Sequence, residues 1–395
     1  MWQASAPAGW AIWGQNPWYP HPAGAGQGSY FATFGQAMPD FNLRHPPALN
    51  YHLDSLRFWL NRGLDGFRLD AVPHLVENNA RDWNDQPESR AMTGQLRALV
   101  HGYAGRHVVC EATAQPKDYA RAGLCGSAFA FGLENQLVPA ARGDAAAVQA
   151  VARYFDAAAG DPLGPHGTLG VFVSNHDLFA GRRLWDQVGG DLALYKLTAA
   201  TYLLLPGTPY IYYGEEIGQA GVVGQPGDAQ LRSPMGWTAD AQTGGFSAGR
   251  PFRPVAGNLA RHNVASQSAN PGSLLAHYQA LITLRKTRPS LARGNWVQAV
   301  ANGATLSFQR QLGSEHTLVT YNYGHNPAGL AVAGLPAGAR LTALLVGAGA
   351  AGSPAVTSTT TAPITANALG QATVPLRAQA FAVWQVAPSN PTQAP

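Results

Sequence analysis

Five short apolar runs constrain this chain more than any other feature. They are GLDGFRLDAV (63–72), RHVVCEA (106–112), SAFAFGLE (127–134), GVFVSN (170–175) and TPYIYYG (208–214), with helical stretches between them, for example at 144–158 and 190–204. Short, continuously apolar strands alternating with helices predict a parallel sheet buried on both faces. A helix at about 50–62 precedes the first run, because LDSLRFWL carries apolar residues at helical spacing and Gly63 supplies a stop. Residues 1–36, rich in Gly, Pro, Trp and Tyr without a period, read as a long loop. After a helix at 272–288 the pattern turns to alternating strands such as TLSFQRQL and HTLVTYNYG, which predicts a separate all-β domain over 295–388 and a disordered tail at 389–395.

A length of 395 residues exceeds what one hydrophobic core normally serves, so a large domain followed by a smaller one is the expected organisation. The net charge of +4 is spread out, with no basic run able to track a phosphate backbone, so nucleic acid is excluded as a partner. Apolar runs such as LTAATYLLLPG are much shorter than the roughly 20 residues a spanning helix needs, which argues against a membrane partner. Cys110 and Cys125 are too few for a disulfide framework and lack metal-ligand spacing. The N-terminus has no basic segment followed by an apolar one, so no signal peptide is expected in this chain.

Only 12% of residues are charged, yet GLDGFRLDAV holds three charges in ten positions. Side chains alternate along a strand, so Gly66, Arg68 and Asp70 share one face. A guanidinium beside a carboxylate favours the ionised acid, as a nucleophile requires; a buried structural ion pair is the alternative. RHVVCEA delivers a second carboxylate, Glu111, at a strand end, and VFVSNHD ends in His176 and Asp177. Parallel sheets carry their chemistry at the carboxyl ends of strands, and a pair of acids there is the equipment for glycosidic bond cleavage. Three strand-end acids could also arise from chance placement among the 22 acidic residues.

Taken together, GLDGFRLDAVPH, VVCEA and FVSNHD resemble, in order, three motif strands of the α-amylase family of glycoside hydrolases. MPDFNLRHP (38–46), GTPYIYYGEEIG (207–218), RSPMGW (232–237) and NPGSLLAHYQALITLRKTRPSL (270–291) extend the resemblance. It implies a (β/α)8 TIM barrel followed by a C-terminal antiparallel β-sandwich. It also implies that Asp70 is the nucleophile, Glu111 the general acid/base and Asp177 the transition-state stabiliser. Arg68 would orient Asp70, His176 would bond the sugar at the scissile link, and His74 would line neighbouring subsites, with its backbone facing calcium. A retaining mechanism needs the nucleophile and the acid about 5 Å apart, and the apolar strand and Asp70 should raise the pKa of Glu111. Trp13, Trp18, Tyr19, Tyr30 and Phe31 either stack on sugar rings or fill a core.

The family's first three strands and its calcium-binding motif find no counterpart here, so the resemblance implies an N-terminally truncated barrel of five strand-helix units, with the main ligands of any Ca2+ outside this chain. The implied activity is retaining hydrolysis of α-1,4-glucosidic bonds in starch or maltooligosaccharides. The alternatives are an α-glucosidase, a trehalose-synthase-like transglycosylase, or an inactive remnant that at most binds glucan. The full-length protein is expected to be secreted or periplasmic, with a cytoplasmic location as the alternative.

Overall fold

A computed structural model describes residues 2–159, 169–348 and 362–389. The described part divides into two compact units, Met1–Phe129 and Ala130–Pro395. This division falls among the parallel strands, whereas the change from helix-strand alternation to antiparallel pairing comes at Gly294 and Asn295.

In the first unit, Pro46–Leu60 forms the expected helix and ends ahead of Gly63, whose φ of +91° suits glycine alone among common residues. Three parallel strands follow, Gly66–Leu69, His107–Cys110 and Ala128–Phe129. The first two pair with Arg68 opposite Val109 and Leu69 opposite Cys110. A Cβ on Gly66 would lie 2.0 Å from the carbonyl oxygen of His107, so the close approach of these strands demands glycine in GLDGF.

The expectation of a strand buried on both faces is corrected for Gly66–Leu69. Its residues are half-buried or exposed, because among the described residues it pairs on one side only. The N-terminal segment also departs from the expected plain loop. Trp2–Gln3, Ser29–Phe31 and Trp18–Pro20 make a small antiparallel sheet over a core of Ile12, Trp18 and Phe31.

The second unit contributes two more parallel strands, Leu169–Val171 and Thr208–Pro209, making five among the described residues. The strand expected over 208–214 has only its first two residues in ladder pairing. Helices Ala145–Ala159, Leu192–Leu204 and Leu274–Thr287 lie where the apolar spacing predicts them. Buried Arg285 donates to the carbonyls of Leu203 and Leu205 at 2.9 and 2.8 Å and to that of Gly207, satisfying backbone acceptors left open at a helix end.

Among the described residues from Asn295 to Ala387 the chain forms a six-stranded antiparallel sheet and a two-stranded one, Ala328–Val332 with Ala372–Leu376. Leu318, Leu330, Val332, Leu341, Val374 and Trp384 fill the core they enclose. Apart from Ser389, the expected disordered tail lies outside the described residues. No helix among the described residues is long and apolar enough to cross a membrane.

Candidate active site

The register of the first two parallel strands sets Asp70 and Glu111 side by side, each one residue beyond its strand. Glu111 N–H donates to the Leu69 carbonyl at 2.8 Å, and Val72 N–H to the Glu111 carbonyl at 3.1 Å, so the pairing continues past both acids. Arg68, two residues before Asp70 on the same face, joins them. Its Nη2 lies 2.7 Å from Glu111 Oε2, and its Nη1 donates to Asp70 Oδ1. Ala71 then turns the chain sharply in the left-handed region (φ 45°, ψ 40°), an unfavourable conformation for a residue with a Cβ, and its N–H points to Glu111 Oε2 at 3.3 Å.

The two acids occupy opposite environments. The Asp70 side chain is 73% exposed, while that of Glu111 is 7% exposed. The Arg68–Asp70 pair is therefore not the buried ion pair weighed from the sequence. Burial pushes the Glu111 carboxyl up to about 7, hydrogen bonding and repulsion from Asp70 add to the rise, and the Arg68 charge opposes it. One carboxyl open to attack an electrophile beside another that stays protonated near neutrality is the division of labour that glycosidic cleavage uses.

A disulfide stands directly behind the acid. Cys110 and Cys125, both fully buried, are bonded with Cα atoms 6.2 Å apart. Cys110 N–H also donates to the Ser127 carbonyl at 2.9 Å, so covalent and hydrogen bonds both fix the residue before Glu111. From the sequence the two cysteines were only too few for a disulfide framework; that they bond follows from their closeness in space.

His74 ends the short turn after Asp70 in an aromatic cage. Its ring stacks on Trp83 (5.7 Å, 15°) and meets Trp13 and Phe34 edge-on at 5.3 and 5.6 Å. Burial lowers its pKa to about 4, so it is neutral at physiological pH. Of the aromatics singled out from sequence, Trp18 and Phe31 are core, whereas Trp13 is 58% exposed. In the same unit, Thr33 Oγ1 lies 2.8 Å from Asp40 Oδ2 and 2.9 Å from Glu77 Oε1. Burial, with repulsion from Asp40, raises the pKa of Glu77 to about 7.

In the second unit, a cluster of charged side chains follows the strand Leu169–Val171. Asp177 is mostly buried; its Oδ1 lies 2.7 Å from Arg232 Nη2 and its Oδ2 3.1 Å from His176 Nε2. Arg232 also donates through Nε to the His176 carbonyl at 2.8 Å and through Nη2 to Asp228 at 3.0 Å. Asp228 in turn accepts from Leu178 N–H at 2.8 Å. The sequence pointed to His176 and Asp177, whereas Arg232, the first residue of RSPMGW, carried no signal of a role. Fifty-five residues separate it from Asp177, and no local pattern connects them.

Residues 4–294 match the family described as alpha amylase, catalytic domain. The chain is 29% identical over 334 residues to the trehalose synthase/amylase of Mycobacterium tuberculosis, covering 72% of this chain and 54% of that protein. It is 28% identical over 389 residues to a probable alpha-glucosidase of Rhizobium meliloti, covering 83% and 68% respectively. The chain thus spans about half the length of the trehalose synthase relative. Among solved structures, the trehalulose synthase of Pseudomonas mesoacidophila MX-45 superposes with a TM-score of 0.76 over 98% of this chain and 77% of that one, at 20% identity, which shows a shared fold.

Proposed function

The chain belongs to the α-amylase family of glycoside hydrolases and transglycosylases, and on that premise we propose that it is the catalytic part of a retaining enzyme acting on α-glucosidic bonds of maltooligosaccharides. In this reading Asp70 attacks the anomeric carbon while Glu111 protonates the leaving oxygen. Glu111, now ionised, then takes a proton from the incoming water or sugar hydroxyl as the glycosyl ester on Asp70 breaks. Arg68 keeps Asp70 in place, and Asp177 with His176 binds sugar hydroxyls. The observation that carries the proposal is the single guanidinium of Arg68 spanning an exposed and a buried carboxyl on adjacent strands.

Hydrolysis and transfer differ only in what opens the ester, water or a sugar. A relative named both trehalose synthase and amylase supports keeping the two outcomes together. The Cys110–Cys125 bond supports the secreted or periplasmic location, since such bonds persist in oxidising compartments.

The family resemblance also implies calcium. Among the described residues no three His, Cys, Asp or Glu gather as a metal centre. Asp40 and Glu77 nevertheless fit a hard cation: the Thr33 hydroxyl has one hydrogen to share between two carboxylates. We propose that these two residues hold the ion, which would neutralise their charges, so some of its ligands lie within this chain.

The test is Glu111→Gln and Asp70→Asn assayed on maltotriose and on an aryl α-glucoside with a good leaving group. Glu111→Gln should lose turnover of maltotriose by about 10²-fold or more yet still form the glycosyl-enzyme from the aryl substrate, which needs no protonation. Asp70→Asn should lose both. Residual maltotriose turnover above a few per cent in Asp70→Asn would remove that residue from the nucleophile role.

A further inference from the structure

Among the described residues six that are not glycine have a positive φ, and four of them, Trp13, Ala71, Asp85 and Gln115, lie in the first unit. Ala71 and Asp85 stand in the stretch that follows Asp70, and Gln115 in the one that follows Glu111. Backbone held in this region costs free energy and collects where function needs a fixed geometry. Asp tolerates it better than most residues with a side chain. At Asp85, with φ of +54°, the side chain is also mostly buried and takes part in no step proposed above.

The Asp85 carboxylate joins three segments. Its Oδ1 accepts from Arg90 Nε at 2.9 Å and from the Tyr119 hydroxyl at 3.0 Å, and its Oδ2 accepts from Arg90 Nη2 at 2.7 Å. Such a fork between guanidinium and carboxylate fixes direction as well as distance. Arg90 belongs to the helix Pro87–His101, lies 3.4 Å from Asp118 through Nη1 and has its Cζ 5.6 Å from the Tyr119 ring centroid. Tyr119, beyond Glu111, is fully buried; burial raises its pKa, so the hydroxyl keeps the proton it donates. The Tyr119 carbonyl accepts from Cys125 N–H at 3.0 Å. On its other side Asp85 donates through its own N–H to the Pro73 carbonyl at 2.9 Å, next to His74.

What the tie controls follows from what else holds each neighbour. Glu111 has its ladder bond to Leu69 and the Cys110–Cys125 bond behind it. Trp83 lies within residues 75–86, which form neither helix nor strand, and Asp85 fastens the end of that stretch to a helix and to a buried ring. Losing the carboxylate therefore frees Trp83 more than Glu111, and with Trp83 the stack it makes on His74.

We propose that Asp85 is a positioning residue: held by Arg90 and Tyr119, it fixes residues 75–86 so that Trp83 and His74 present one flat aromatic face to a substrate sugar. The role rests on the function proposed above, a chain that binds maltooligosaccharide.

The experiment measures maltotriose binding by calorimetry in chains that all carry Asp70→Asn, so that turnover does not interfere. Adding Asp85→Gly removes the carboxylate at a backbone conformation that glycine adopts freely. It should raise Kd at least about fivefold with the circular dichroism spectrum unchanged. Adding Tyr119→Phe, which deletes one hydroxyl, should raise Kd about twofold or more and should add nothing to Asp85→Gly. With Asp70 restored, Asp85→Gly should raise KM by a similar factor and leave kcat within about twofold. A merely structural tie would instead lower kcat through lost active enzyme and leave Kd and KM alone, and that result would overturn the proposal. So would full additivity of the two substitutions, or no maltotriose binding by Asp70→Asn alone. If Asp85→Gly does not fold, Tyr119→Phe decides by itself. Turnover by Asp70→Asn would sink the nucleophile assigned above, whereas an unchanged Kd sinks only the role of Asp85.

Discussion

Arg68 Nη2 reaches Glu111 Oε2 at 2.7 Å across two parallel strands, 43 positions apart in the chain. The same guanidinium pairs with Asp70, so one cation faces two carboxyls of unequal burial. Its charge works against the burial that raises the Glu111 pKa.

Removing that charge should therefore move the acid further from its ordinary value. With Glu111 active in its protonated form, kcat/KM of the unaltered chain should fall as pH rises through about 7. In Arg68→Ala the remaining activity should be at least about tenfold lower and its alkaline midpoint should shift upward. An unchanged or lower midpoint in the pH profile would show that Arg68 does not act on Glu111.

Asp177 and Arg232 should behave as one functional unit. Asp177→Asn and Arg232→Ala are each expected to reduce kcat/KM on maltotriose by tenfold or more, and the double variant should lose much less than the product of the two. Full additivity in that cycle would mean that the 2.7 Å contact carries no function.

Glu77 makes stability depend on pH. Its folded pKa of about 7 lies above the ordinary 4.5, so the folded state keeps the proton longer than the unfolded chain. The stabilisation is complete below about 4.5 and is lost as pH rises through 7. The unfolding midpoint should thus decline over this window, less steeply in Glu77→Gln. At pH 8, millimolar Ca2+ should raise the midpoint of the unaltered chain and not that of Asp40→Asn/Glu77→Gln. Equal calcium responses would place the ion elsewhere.

The Cys110–Cys125 bond closes a loop with a sequence separation of 15 residues. Loop-closure entropy for that length corresponds to about 3 kcal/mol. Cys110→Ser/Cys125→Ser should therefore unfold at lower denaturant concentration with a similar slope. Its maltotriose turnover should also fall, because Glu111 directly follows the tethered residue. A midpoint matching that of the unaltered chain would show that the bond contributes nothing to folding.

The strand ends were legible because their chemistry is local. Continuous apolar runs specify buried strands wherever a neighbour covers both sides, and alternation along the strand places Arg68 and Asp70 on one face before any neighbour is known. The Pro46–Leu60 and Leu192–Leu204 helices follow from spacing and stop signals in the same way. The two-residue ladder at Thr208–Pro209 was overestimated because apolar continuity does not reveal where a partner strand ends.

By itself, then, the sequence determined which ionisable residues stand at the strand ends and which elements bear them, since periodicity and side-chain type act over a few positions. Tertiary structure alone decided that Asp70 is open while Glu111 is buried, that Arg68 touches both, that Arg232 reaches Asp177 and that Cys110 bonds Cys125. Each of those facts depends on desolvation or on contact between segments remote in the chain. Neither quantity is written in the residues adjacent to the group it governs.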